Sequence, residues 1–223
     1  MKSPTLATWL CCTALALAGC ASTQVPPDQY SGFLKDYSRL APAQSASGAP
    51  VMRWIAPQAQ LRQYRQVYIE PSQFYPRPQP TAVISAQTLQ SITRYYDTAL
   101  KRELGKHLTI ANGPGPNTLV VRPAITAVST QAEGLKPYEI VPIALVAAAV
   151  NTAAGGRDQS VEIATEAAFL DADSNAVLAQ VVRKGAGEPL ENDTSQLTLE
   201  HVKPVLDGWA SDLRLAYEKL EGQ

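Results

Sequence analysis

The sequence predicts an α+β fold, a two-layer sandwich with a mixed sheet of four or more strands and two main helices on one face. Three observations carry that expectation. Two long segments each show a single apolar stripe at helical spacing, strand-like segments lie around them, and the first half runs strand, helix, strand. That last order demands a right-handed crossover with its helix on one face of the sheet. From Ser85 to Leu108, the residues Leu89, Ile92, Tyr96, Leu100, Leu104 and Leu108 form one stripe, with Arg94, Lys101, Arg102 and Lys106 off it. Ser85 is suited to cap the start. Near the C-terminus Val202, Leu206, Trp209, Leu213, Tyr217 and Leu220 make a second stripe, and Pro204 is expected in the first turn of that helix.

The strands follow from β-branched and aromatic residues between turn signals. Arg65 to Phe74 reads as one strand and ends at a proline-rich loop, "YPRPQP", that cannot be helix or inner strand. After "GPGPN", the run from Thr118 to Thr130 alternates, and Pro123 implies a free or bulged ladder side there. Ser160 to Gly185 reads as a hairpin turning at Asp171–Asn175. In it Val161, Ile163, Ala167 and Phe169 point one way and Glu162 and Glu166 the other. Those charges predict that the second sheet face is largely wet. They also predict cross-strand pairing of the glutamates with Arg183 or Lys184.

The start of the chain carries an address. The apolar run from Leu6 to Ala18 is 13 residues long, short of the ~20 that a spanning helix needs. A basic head, an apolar middle and small residues before a cut give residues 1–19 the layout of a removed signal peptide. Leu17-Ala18-Gly19-Cys20 resembles the bacterial lipobox. That resemblance implies lipidation of Cys20, and Ala21 after it implies the outer membrane of a Gram-negative cell, on the periplasmic side. Residues 20–29 then read as a lipidated tether and 30–223 as one globular domain. Within the latter, Phe33, Leu34, Tyr37 and Leu40 have helical spacing, with Ser31 as cap and Pro42 as stop, and residues 42–50 read as loop.

Composition excludes more than it identifies. With 45% hydrophobic residues and a net charge of −1, nothing calls for a nucleic-acid partner. The three cysteines lie at 11, 12 and 20, so the mature domain has neither disulfide nor thiolate metal site. No cofactor or metal is expected. His107, near the end of the first long helix, is read as a C-terminal cap, and His201 as a solvated residue at the start of the last. Asp171, Asp173 and Asn175 imitate the first ligands of a Ca²⁺ loop, but Ala176 and Val182 stand where glycine and glutamate are required. The nearly uncharged run 138–156 stands apart. Its residues Ile140, Val141, Ile143, Leu145, Val146 and Val150 are expected either to close the core or to contact a partner or a second copy.

Taken in order, "YSGFLKDYSRLAP", "VYIEP", "VVRPAIT", "VPIAL", "FLDADSNAVLAQ" and "WASDLRLAYEKL" resemble a family of uncharacterised proteobacterial lipoproteins, catalogued as a domain of unknown function. The resemblance implies one lipid-anchored domain and transfers no catalytic residues. The expectation is therefore a periplasm-facing lipoprotein that acts by binding, or as an accessory of an envelope complex. The alternative is an envelope hydrolase whose site is assembled from dispersed acidic, serine and histidine residues.

Overall fold

The first long helix, α1, spans Ala86–Leu104 and starts where the sequence places its cap, with Ser85 Oγ accepting from the Thr88 N–H. Leu89, Ile92, Tyr96, Leu100 and Leu104 are buried along its stripe. The C-terminal helix, α2, spans Leu199–Glu221. It begins at Thr198, whose backbone N–H donates to His201 Nδ1 at 3.1 Å, so Pro204 sits as the sixth helical residue rather than in the first turn. A local cap set the boundary there, and the proline was accommodated within the helix. Residues 25–132, 159–192 and 194–222 are described by this computed structural model.

Among the described residues eight strands form one mixed sheet: β1 Ala41–Gln44, β2 Pro50–Ile55, β3 Gln66–Ile69, β4 Gln73–Phe74, β5 Thr109–Ile110, β6 Thr118–Ala132, β7 Gln159–Asp171 and β8 Val177–Ala186. Their spatial order is β1-β2-β8-β7-β6-β3-β5, with β4 also beside β6. Strands β3 and β6 are parallel, as the crossover through α1 requires, whereas β6, β7, β8, β2 and β1 meander antiparallel. The single strand read over Arg65–Phe74 is two short ones, both parallel to β6. Pro123 falls in the gap between them, since β3 pairs as far as Val121 and β4 from Ala124. A register shift follows between Ile125 and Ala127. Both agree with a proline that cannot serve an uninterrupted ladder.

Helices α1 and α2 lie together on one face, as expected. The main core fills the space beneath them with Ile92, Leu100, Val121, Ile125, Ile163, Val202, Leu206 and Trp209. The second face departs from expectation. It is not wet: a second apolar cluster of Val25, Leu34, Val120, Ala168, Leu170 and Val182 lies there, flanked by Tyr30, Phe33, Tyr37 and Leu40. The segment that covers it is not the helix that its spacing suggested. Residues 30–40 form a chain of turns with positive φ at Gly32 (89°) and Lys35 (61°), a conformation incompatible with continuous helix. The loop expected at 42–50 is instead the β1–β2 hairpin, with β1 running to Gln44 and β2 starting at Pro50. The short polar residues there gave no periodic signal, and pairing of β2 with β8 organised them.

Candidate functional site

Two buried charged centres lie on opposite faces of the β7–β8 ladder, one residue apart. On the face covered by residues 30–40, the strap, Glu166 is 1% exposed. Its Oε1 accepts from the Ser31 N–H at 2.9 Å and its Oε2 from the Tyr37 hydroxyl at 2.6 Å. The Tyr37 oxygen in turn accepts from the N–H groups of Gly32 and Leu34, and its ring stacks on Tyr30 with centroids 4.5 Å apart. Burial, reinforced by the bond to Glu166, pushes the Tyr37 phenol up to about 12, so it remains a donor at neutral pH. Gln180 extends the attachment by donating to the Asp36 carbonyl, and Arg39 lies over the Trp54 ring of β2 at 3.8 Å. Both Glu166 oxygens are thus engaged in holding the strap.

On the helix face stands Arg183. It pairs in register with Thr165 and so shares the inward parity of Val181. Arg183 is 7% exposed and Asp212 of α2 is 5% exposed. Their closest approach, Nη1 to Oδ2, is 3.6 Å, too long for a good hydrogen bond. Asp212 Oδ1 instead accepts from the Ser47 N–H in the β1–β2 turn at 2.8 Å. Nε and Nη1 of Arg183 are buried without a hydrogen-bond partner among the described residues. The guanidinium lies over the Trp209 ring, 5.6 Å from its centroid. Burial draws it down from its ordinary value, against the pull of Tyr96 and Asp212, yet an arginine stays charged under such conditions.

Arg183 and Asp212 line a cavity between the β2–β8 edge of the sheet and the second half of α2. Apart from Arg53, Ser45 and Gln180, its remaining wall is apolar, including Ile55, Leu178, Leu213, Ala216 and Leu220. This explains a feature of the second helical stripe. Val202, Leu206 and Trp209 are fully packed on the sheet, whereas Leu213 and Leu220 are only partly covered because they face the cavity. The volume is about 80 Å³.

The sequence-derived site residues fall elsewhere. Cys20 and the segment with Ile140, Val141, Ile143, Leu145, Val146 and Val150 lie outside the described residues. Glu162 pairs with Lys184 across the ladder at 3.9 Å, as expected. Glu166 pairs with neither Arg183 nor Lys184, because Arg183 points through the opposite face. His107 lies beyond the end of α1 and meets Glu218 of α2 at 2.6 Å instead of capping the helix. His201 takes part in the start of α2 through Thr198. Neither histidine lines the cavity, and no group of three or more metal-ligating side chains occurs among the described residues. Asp171 Oδ1 accepts from the Ser174 N–H and hydroxyl, so the calcium-like run is a hairpin turn. The cavity pair Arg183–Asp212 went unread in the sequence. Its signal was an arginine at an inward strand position and an aspartate on an apolar stripe, each of which looks like noise alone.

The chain belongs to the protein family of unknown function DUF3313, whose family model matches residues 29–213. An uncharacterised lipoprotein, YdcL, from two strains of Escherichia coli is 38% identical over 201 residues, covering 90% of each chain. Among solved structures, the chain has some similarity to the PelC dodecamer of Paraburkholderia phytofirmans (10% identity, 73% of this chain and 96% of that one, TM-score 0.38). A minor lipoprotein of Acinetobacter baumannii shows 11% identity, 71% and 92% coverage and a TM-score of 0.38. Protein XCC0632 of Xanthomonas campestris shows 12% identity, 76% and 93% coverage and a TM-score of 0.44. No helix among the described residues is long and apolar enough to cross a membrane.

Proposed function

We propose that this protein is an outer-membrane lipoprotein, held by lipid on Cys20 and facing the periplasm, that acts by binding as an accessory of an envelope complex. The observation that carries the reading is the closeness of the lipobox to the folded domain. Cys20 is five residues from Val25, which is 5% exposed in the second apolar cluster. Five residues reach at most about 17 Å. A lipidated Cys20 therefore keeps the strap side of the domain near the bilayer and leaves little freedom to roam. Anchoring of this kind is stable, since each buried methylene contributes ~0.8 kcal/mol and more than one chain is attached. The family membership supports a lipoprotein, and Ala21 after the acceptor cysteine supports sorting outward. Partner contact is assigned to the apolar run from Ile140 to Val150, whose flanks Ala132 and Gln159 are register partners at one end of the β6–β7 ladder.

Two experiments test the reading. A Cys20→Ala chain is expected to leave the membrane fraction of fractionated cells. Retention in the membrane would overturn the anchor. Crosslinking mass spectrometry in native envelopes is expected to return a reproducible partner joined near residues 138–156. Crosslinks confined to lipid and to the domain itself would overturn the binding role.

A further inference from the structure

The strap side of the domain carries a surface feature that neither apolar cluster uses. Among the described residues Tyr75 is the exposed large hydrophobic residue, at 39%. It opens the loop Tyr75–Pro80, in which every second residue is proline. Proline fixes its own φ and lacks an N–H, so the loop is stiff and offers few backbone donors. Pro76 and Pro78 are half-buried, whereas Tyr75, Arg77 and Gln79 are exposed. An aromatic ring and a guanidinium are thus held out to solvent on a chain that has little freedom left to lose. The Tyr75 ring also meets Phe33 of the strap, with centroids 5.6 Å apart. Phe33 packs against the same apolar cluster that buries Val25.

We infer that Phe33, Tyr75 and Arg77 form the surface on which the domain rests against the bilayer, with the rings at headgroup depth and Arg77 beside lipid phosphate. The inference rests on the anchor proposed above and adds an orientation to it. From Cys20 to Val25 the chain reaches at most about 17 Å. A domain of about 200 residues has a radius of gyration of about 16 Å and is roughly 40 Å across. So short a tether cannot pass around the domain, and the bilayer lies on the side where Val25 is buried rather than beyond the two helices. Tyrosine suits headgroup depth because its ring is apolar and its hydroxyl stays wet. Charge selects the kind of lipid. On the strap Asp36 pairs with Arg39 at 3.6 Å. The exposed charges Lys35 and Arg77 against Asp28 leave one positive charge. Attraction to anionic lipid calls for a cluster of basic residues, so this nearly neutral surface fits a zwitterionic one.

The mature chain has no cysteine besides Cys20, whose sulfur is taken up by lipid, so a single new thiol can be labelled without background. The lipidated chain with Gln79→Cys or Lys101→Cys is labelled with a fluorophore. It is then placed in phosphatidylcholine–phosphatidylethanolamine vesicles that contain a lipid with a quencher on its headgroup. Gln79 lies in the proline-rich loop, and Lys101 is exposed on α1, across the sheet. The quencher lipid is expected to dim the Gln79→Cys probe strongly and the Lys101→Cys probe little. Adding Tyr75→Ser should lower the ratio of docked to undocked domain by about tenfold, the order set by losing burial of one aromatic side chain. Flotation with the vesicles and the melting temperature should stay as in the parent chain, which separates lost contact from lost folding. Equal quenching of the two probes, stronger quenching of the Lys101→Cys probe, or quenching indifferent to Tyr75→Ser would overturn the inference and leave the anchor standing. A second copy seated on the loop would shield the Gln79→Cys probe from the quencher lipid, and that result also counts against it. A chain that failed to float with the vesicles would overturn the anchor and the orientation together.

Discussion

Removal of one hydroxyl should release the strap. Tyr37→Phe keeps the ring, its stacking on Tyr30 and its place in the second apolar cluster. It deletes the 2.6 Å bond to Glu166 and leaves that carboxylate, 1% exposed, with the Ser31 N–H as its remaining partner among the described residues. It also takes an acceptor from the Gly32 and Leu34 N–H groups. A hydrogen bond to a buried charge contributes ~1.5–3 kcal/mol. The Gly32 donor is exposed and recovers its partner from water, so a total of about 2–3 kcal/mol follows. The strap touches the sheet through few residues compared with the two helices, so the loss should appear first as local undocking. Hydrogen exchange measured on peptides from residues 25–40 should accelerate by ~30- to 100-fold, since each 1.4 kcal/mol is tenfold. Exchange in α1, α2 and β7 should change little. Tyr30→Phe serves as the control, because the Tyr30 hydroxyl makes no hydrogen bond among the described residues. If Tyr37→Phe left strap exchange at the wild-type rate, Glu166 would not be what fastens the strap, and its burial would need another cause.

Further outcomes follow from the helix pair and the tight crossings. Glu103 sits between α1 and α2, bonded to Lys106, Arg102 and Arg214. The Lys106 bond, with Arg214 and Arg102, holds its carboxyl near 2 against an ordinary 4.5. A folded-state value below the unfolded one adds stability that is complete above about pH 4.5 and is lost as the pH falls toward 2. Urea midpoints of wild type should therefore drop across that window, whereas Glu103→Gln should start lower at pH 7 and show a shallower acid limb. Gly187 crosses α2 so closely that an added Cβ would lie 2.4 Å from the His201 carbonyl oxygen and 2.9 Å from Val161. Gly187→Ala should cost ~1–3 kcal/mol by overpacking, read as a lower melting temperature. Leu206→Ala, at a fully buried position facing the sheet, should cost ~2–5 kcal/mol in chemical denaturation. The same change at the partly covered Leu213 should cost clearly less, because that side chain borders existing space.

What the sequence by itself determined was local. Its helices are legible because each stripe repeats over many turns, and Ser85 marks the start of α1. The β7–β8 hairpin is legible because alternation on both sides of Asp171–Asn175 fixes which residues point inward. Tertiary structure decided what depends on residues far apart in the chain. The apolar spacing of Phe33, Leu34, Tyr37 and Leu40 suits a helix as well as a strap. Only the Glu166 carboxylate, 129 positions from Tyr37, selected the turns, and it turned a face expected to be wet into a second core. Likewise Arg183 reads as a surface charge until register places it beside Val181, and Asp212 reads as a blemish on a stripe until the β1–β2 turn meets it. A lone charge at an inward position acquires its meaning from the partner, the turn and the empty space that folding assembles around it, and no local pattern encodes that assembly.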